Sequence, residues 1–479
     1  MKDDKSVEDP YEQLQIDRTV FGIDMKMELA KKFNAPLPMP DKVAAGLRFN
    51  ASCAKYTPPM KISFSNIYWQ VLEMSSSKVT YFMYGAYFDN RLTTGAVRVV
   101  AFLTKLVDND TRPHCQLWFE GLRKPVIVKA LLLVMYRKDL SKKIPIIPYL
   151  VTCKIPPRMS GKVPASVSLV ETQCEEATNN LRVIYNPLTV GETKKDFLVC
   201  VKALFFPYKP HMAVRIVEWI ELLKILGAQK FVIYNFQAHE NITSVLDYYS
   251  SNENFEHVPV TLPGKFPNYQ HLISDFLSQH NWIQYLNDIV QVTDCMYRHL
   301  YKFNYVTTLD VDEVIVPISK DNWHDLIYDV AVPKAAQQNK SFAGFVSKNT
   351  FFLDDQIEQQ AWYPDIPKYM HMLQNVHRKD FYYPVNHTRK HSKAFFDVDK
   401  NLYIFCHYPM ECVANECDYL IFDPVESQLQ HYCVGQGRRH SDCKNNSNTD
   451  IVQDTSLWKY KDELVAKTSK VLKETGFLK

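Results

Sequence analysis

Three carboxylates fall within four residues in Leu309-Asp310-Val311-Asp312-Glu313-Val314, with apolar runs on either side. Side chains of one sign packed so closely repel one another, and a divalent cation is the simplest partner that would neutralise them. An Asp-x-Asp pair alone is common by chance, and an acidic turn facing solvent is the bland account of it. Position favours a metal, because the pair ends an apolar strand and strand ends are where an α/β sheet presents ligands. A cation there would bridge phosphate oxygens and offset the charge of a departing nucleoside diphosphate. The chain has no GxxxxGK[ST] loop and no GxGxxG after a strand, which argues against P-loop and dinucleotide-binding proteins.

The elements that must hold these carboxylates begin at Phe197. Residues 197–206 read as a buried strand, and a loop with Pro207 and Pro210 follows. Ala213, Ile216, Val217, Ile220 and Leu223 have helical spacing, and Gly227 is placed to cap that helix. Glu218 and Glu221 read as its solvated side in preference to groups facing a ligand pocket. Strands are expected at 230–236, 257–262 and 305–309, with helices at 244–250 and 285–300. This alternation predicts an α/β domain: a mostly parallel sheet with flanking helices, over residues 197–440. Asp294 and Arg298 lie one turn apart on the last helix, suited to an ion pair or to positioning a donor.

The flanking segments read differently. Residues 61–155 are β-rich, with strand-like 81–84 and 97–100, an apolar run at 126–136, and turns at 108–110 and Gly121, which suggests a small sandwich-like module. Residues 1–60 read as a stem or linker with one helical stretch at 24–33. Residues 156–196 read as a connector and 441–479 as a C-terminal tail.

With 479 residues, 46% hydrophobic and 23% charged, the chain is of ordinary globular composition, long enough for two or three domains. A net charge of +3 gives no bulk argument for nucleic acid or a membrane surface. Aromatic residues make up 13%, as in packed sheets and in carbohydrate binders. Eleven cysteines include no CxxC pair, and Cys406, Cys412, Cys417, Cys433 and Cys443 crowd near the C-terminus, which predicts disulfides rather than a zinc site. N-glycosylation triplets at Asn50, Asn109, Asn241, Asn339, Asn386 and Asn445 agree with a lumenal chain. No signal peptide or apolar span is visible near the N-terminus.

Four segments in one order carry a resemblance: Val199-Cys-Val-Lys-Ala-Leu-Phe205, Arg215-Ile-Val-Glu218-Trp-Ile-Glu221-Leu222, Val292-Thr-Asp294-Cys295-Met-Tyr-Arg298, and Asp310-Val-Asp312-Glu313 with Pro317. Together they resemble glycosyltransferase family 92, once called domain of unknown function 23, and Tyr87-Phe-Asp89-Asn-Arg91 is similar to that family's N-terminal region. The resemblance implies a GT-A fold, an inverting mechanism, manganese, a UDP-galactose donor and a glycan acceptor such as fucose on an N-glycan core. It also implies a Golgi lumen location, with any membrane anchor in a segment absent from this chain. Asp310 and Asp312 would hold the metal, completed by a histidine: His407, at the end of the strand-like run 402–407, is the first choice and His431 the second. Asp294, Arg298 and Lys393 would bind the donor. The family's Arg-Pro pair is replaced by Asp397 and Val398, leaving Lys393, Lys390 or Arg389 for its phosphates, and Val314 stands where the family has an aromatic residue. An inverting transferase needs a general base. Asp354 and Asp355 are candidates by position, against the plainer reading of an acidic loop. The rival functions are a catalytically silent glycan-binding relative and a metal-dependent nucleotidyltransferase.

Overall fold

The computed structural model describes residues 53–479 except 59–60, 67, 92, 108–110, 136–144, 354–361, 381, 383–390, 415–416 and 433–449. The helical stretch expected at 24–33, the general-base candidates Asp354 and Asp355, the substitutes Arg389 and Lys390, and Cys433 and Cys443 lie outside the described residues. The chain forms two compact units, residues 1–185 with 263–265, and residues 186–262 with 266–479.

In the first unit, the strand Val79–Asp89 pairs antiparallel with Trp69–Met74 and Ala96–Leu103, and parallel with Leu181–Ile184. These belong to one ten-stranded sheet. Alternate residues Val97, Val99, Ala101 and Leu103 enter a core shared with Leu117, Val167, Leu169 and Leu181. Two readings are corrected. The apolar run 126–136 is two strands, Val126–Lys129 and Leu131–Val134, at opposite ends of the sheet order. The segment read as a connector supplies the strands Ser166–Val170 and Leu181–Ile184. Its Ser, Asn and Gly content hid a short alternation whose apolar members are buried. Disulfides Cys53–Cys174 and Cys115–Cys153 cross-link this unit. Asp89 is buried between Arg91, at 2.9 Å, and Arg98, at 3.0 Å.

The second unit carries an eleven-stranded sheet. Phe255–Pro259, Lys230–Ala238, Lys195–Phe206 and Phe303–Thr308 are parallel neighbours in that order. Helical crossovers enforce this direction: Met212–Leu226, Glu240–Ser250 and Asn281–Arg298 lie between these strands in the chain. Beyond Phe303–Thr308 the sheet is mixed, with Ser392–Asp397 antiparallel to both Phe303–Thr308 and Gly344–Phe352. The expected mostly parallel sheet is therefore corrected to a parallel half and a mixed half. Gly227 ends its helix as predicted, at φ 116°, with its N–H bonded to the Leu223 and Lys224 carbonyls.

The helix Met212–Leu226 is buried nearly all round, because Lys461–Glu474 packs over it through Leu464, Val471 and Leu472. The described part of the segment read as a tail, residues 450–479, is thus part of the domain: Ile451–Gln453 also joins the sheet beside His377–Lys379. Burial overturns the solvated reading of two acids. The Glu218 carboxylate accepts the backbone N–H groups of Met372 and Leu373, at 3.0 and 3.3 Å, and burial lifts its pKa to about 7. Glu221 accepts from the Tyr249 hydroxyl at 2.7 Å and from Lys224 at 2.8 Å. Disulfides join Cys200 to Cys295 and Cys412 to Cys417, and Cys406 is a buried free thiol. No described helix is long and apolar enough to cross a membrane.

Candidate active site

The carboxylate cluster sits on a turn. Phe303–Thr308 stops before Asp310, the Glu313 N–H returns to the Asp310 carbonyl at 3.0 Å, and the strand Glu313–Pro317 departs. That strand pairs antiparallel with Ser427–Tyr432, which sets His431 directly opposite Glu313. The Asp312 carbonyl accepts the Tyr432 N–H at 2.7 Å, so the turn is pinned from the histidine strand. Trp219 donates its indole N–H to the Glu313 carbonyl at 2.8 Å from below.

Three cations of the chain itself meet these carboxylates. Lys202 Nζ is 3.2 Å from Asp310 Oδ1 and 3.9 Å from Asp288 Oδ2. Lys393 Nζ, with a side chain only 1% exposed, is 2.9 Å from Glu313 Oε2 and 3.4 Å from Asp310 Oδ2. His431 places Nε2 3.5 Å from Asp312 Oδ2 and Nδ1 3.4 Å from Glu313 Oε1. Mutual repulsion of the acids is therefore relieved in part by lysines and an imidazole of the chain itself. Burial raises the cost of every charge here, but pairing outweighs it. Lys202 and Lys393 are held above the usual lysine range, and Asp310 is pushed well below the carboxylate range. Burial disfavours a charged His431, yet Asp312 and Glu313 lift it to about 9.

A cavity of about 440 Å³ opens on this cluster, lined by Lys202, Gln284, Tyr285, Asp288, Asp312 and His431 with Asp310 and the strand-end residues 203–206. Its volume lies within the range of small-molecule sites. The cavity lies at the carboxyl ends of the parallel strands Lys195–Phe206 and Phe303–Thr308, the position expected for a ligand in such a sheet.

The predicted residues divide. Asp310, Asp312 and His431 come together at the cavity. His407 is not among its lining residues: the strand expected to carry it ends at Ile404, its Nδ1 lies 3.0 Å from the Ser392 carbonyl, and burial beside Lys393 lowers its pKa to about 3. The reasoning that preferred a histidine held by the sheet thus applies to His431. Lys393 is placed behind Asp310 rather than on the cavity surface. Asp397, at the former Arg position, lies at the far end of the same strand, about 13 Å away. Asp294 and Arg298 form a buried ion pair at 2.8 Å, with the Tyr234 hydroxyl also donating to Asp294, and neither lines the cavity. Lys202, Asp288 and Tyr285 escaped the sequence reading. Lys202, a charge inside a strand of buried type, was the one visible signal.

Among the described residues no three His, Cys, Asp or Glu side chains form a ready metal cage. Asp312 and His431 nonetheless suit a cation between them. Two ligands each about 2.1 Å from one ion lie roughly 3–3.5 Å apart, and magnesium-like ions use one or two carboxylates plus substrate phosphates rather than all-protein cages. Their 3.5 Å separation matches this, with the ion taking the place of the Nε2 proton.

Three comparisons bear on these residues. The family model for glycosyltransferase family 92 matches residues 195–468, more than half of the chain. Beta-1,4-galactosyltransferase galt-1 of Caenorhabditis elegans is 27% identical over 179 residues, which cover 36% of this chain and 38% of that relative. The solved apo structure of the bifunctional glycosyltransferase WbbM covers 47% of this chain and 36% of its own, at 11% identity and a TM-score of 0.20, a likeness too slight to carry an argument.

Proposed function

The chain belongs to glycosyltransferase family 92, and we propose that it transfers galactose from UDP-galactose to a glycan, with fucose on an N-glycan core as the acceptor, by an inverting mechanism on a GT-A-type domain. The observation that carries the proposal is the cavity at the strand ends, where Asp310, Asp312, His431 and Lys202 meet. Asp312 and His431 would hold manganese. The ion supplies charge neutralisation to the diphosphate as it leaves.

The chain's own groups do the rest. Lys202, with a side chain 27% exposed, presents its ammonium at the cavity wall as a second positive charge for the diphosphate. Asp310 orients that ammonium from one side, and buried Lys393 keeps Asp310 ionised from the other. The fixed turn and its paired strand hold these charges in place before the donor enters, so little reorganisation accompanies binding. The four disulfides among the described residues favour an oxidising compartment, and the proposed location is the Golgi lumen.

Full-length protein from a secretory host tests this with UDP-sugars and fucosylated N-glycans, with manganese and with a chelator. Galactose transfer lost on chelation is expected. Transfer at full rate without any divalent cation would remove the metal from the proposal, and absence of transfer from every UDP-sugar would remove the activity.

A further inference from the structure

The cavity has a wall that the proposed diphosphate site does not use. Gln284, Tyr285 and Asp288 all line it and all come from the helix Asn281–Arg298, where spacings of three and four residues place side chains on one face. Asp288 is only 1% exposed. Its Oδ2 faces Lys202 at 3.9 Å, a loose contact, and its Oδ1 has no hydrogen-bond partner. A buried carboxylate oxygen without a donor is costly, and such a group in a cavity signals a missing ligand. One turn earlier Tyr285 leaves 53% of its surface exposed on the same wall.

The helix is rigidly placed. Gln291, one turn beyond Asp288, accepts the Ala203 N–H through Oε1 at 2.8 Å, and Cys295 is bridged to Cys200 on the same strand. Both ties fasten the helix to the strand that carries Lys202, so Asp288 is held at a fixed distance from the cationic wall. An acceptor oxygen, an amide and a half-exposed aromatic ring on one helix face are the chemistry that recognises a sugar: hydroxyls donate to the carboxylate, and the C–H face of the ring lies on the tyrosine.

We propose that Asp288 Oδ1 accepts a hydrogen bond from a sugar hydroxyl whose ring rests on Tyr285, making this helix face the sugar-recognition wall of the cavity. The inference deepens the transferase reading and rests on it for the sugar's identity as donor or acceptor, while the sugar binding itself can be measured without turnover.

The experiment uses the full chain with manganese and three probes, UDP, UDP-galactose and methyl α-L-fucoside, with binding followed by ligand-observed NMR and calorimetry. Burial raises the Asp288 pKa to about 7, so binding is measured at pH 8, where Asp288→Ala should weaken a sugar-bearing probe about ten- to hundredfold, as loss of a charge-assisted hydrogen bond does, and leave UDP within about twofold. Asp288→Asn should fall between the two. Tyr285→Ala should weaken the same probe about fivefold, and Tyr285→Phe should restore it. Tyr285 is half-exposed, so its variants keep the inference testable if the Asp288 variants misfold. A loss confined to UDP-galactose assigns the wall to the donor sugar, and a loss confined to the fucoside assigns it to the acceptor. If wild-type protein ignores UDP but binds the fucoside in an Asp288-dependent way, the wall stands and the transferase reading falls. Sugar probes that bind all variants alike, a UDP affinity that drops in step with the sugar probes, or a wild-type protein that binds none of the three would each overturn the inference.

Discussion

Replacing Lys393 with Met should destabilise the second unit more than most single substitutions can. The ammonium lies 2.9 Å from Glu313 and 3.4 Å from Asp310, and its side chain is 1% exposed. Methionine fills much of the same volume but leaves a buried carboxylate cluster with one cation fewer. Asp310 keeps Lys202 at 3.2 Å, whereas Glu313 keeps the imidazole of His431, at 3.4 Å, and the Asp310 backbone N–H, at 3.2 Å, but no ammonium. The uncompensated charge thus falls mainly on Glu313. Breaking a buried pair by removing one partner costs about 3–5 kcal/mol. Over roughly 300 residues, with an unfolding entropy near 2.1 cal/mol/K per residue, that is a fall of about 5–8 °C in Tm. Calorimetry on Lys393→Met, Glu313→Gln and the double variant measures it. The double variant should recover much of the loss, because the stranded carboxylate is gone. A single variant within about 1 kcal/mol of wild type would show that the lysine does not carry the cluster, and a double variant no better than Lys393→Met would show that Glu313 is not its main partner.

Three further outcomes are expected. Glu218 has a folded pKa of about 7 against 4.5 unfolded, so its contribution is greatest below pH 4.5 and is lost as pH rises towards 7; urea unfolding at pH 5 and pH 8 should show a fall that Glu218→Gln reduces by on the order of 3 kcal/mol, and identical pH slopes would refute the assignment. In metal titrations of turnover, His431→Ala should raise the manganese requirement tenfold or more with partial rescue by excess metal, whereas His407→Ala should leave it near wild type; the reverse pattern would return the ligand role to His407. Non-reducing peptide mapping should recover Cys412 linked to Cys417 and Cys200 linked to Cys295, with Cys406 alkylated only after unfolding; labelling of Cys406 in the native protein would contradict its burial.

What could be read from sequence was the part written in local periodicity. Residues 197–309 alternate strand and helix strongly enough that the seven predicted elements and the Gly227 cap were placed within a few residues of their observed bounds, whereas the helix Gln270–Gln279, whose residues are polar at most positions, was missed. The Asp310–Glu313 turn was found because an acidic triplet between apolar runs is rare. His431 was harder, because Ser427-Gln-Leu-Gln-His-Tyr432 is polar at most positions and nothing local marks it as a strand. It is one because Glu313–Pro317 and Gly344–Phe352 flank it in the sheet. Glu218 and Glu221 misled for a similar reason: a charged residue reads as exposed until remote groups cover it, here the helix His371–Gln374 over Glu218 and Tyr249 over Glu221. Asp288 gave no signal, since a single acid in a helix is ordinary unless its far partners are known.

The bridge between Cys200 and Cys295 also sets an order of assembly. Both cysteines precede the acidic turn in the chain, so under oxidising conditions the strand and helix that frame the cavity can be locked together early. His431 lies 431 − 295 = 136 residues further on, and at about 5–20 residues per second its strand follows on the order of ten seconds later. The acids at 310–313 and then Lys393 emerge within that interval and meet a frame that is already covalently closed, with their histidine still to come. The site is completed from its C-terminal side, last, by a strand that inserts between two already made, so a stalled or nicked chain lacking it would present a framed but unfinished cavity to the folding machinery.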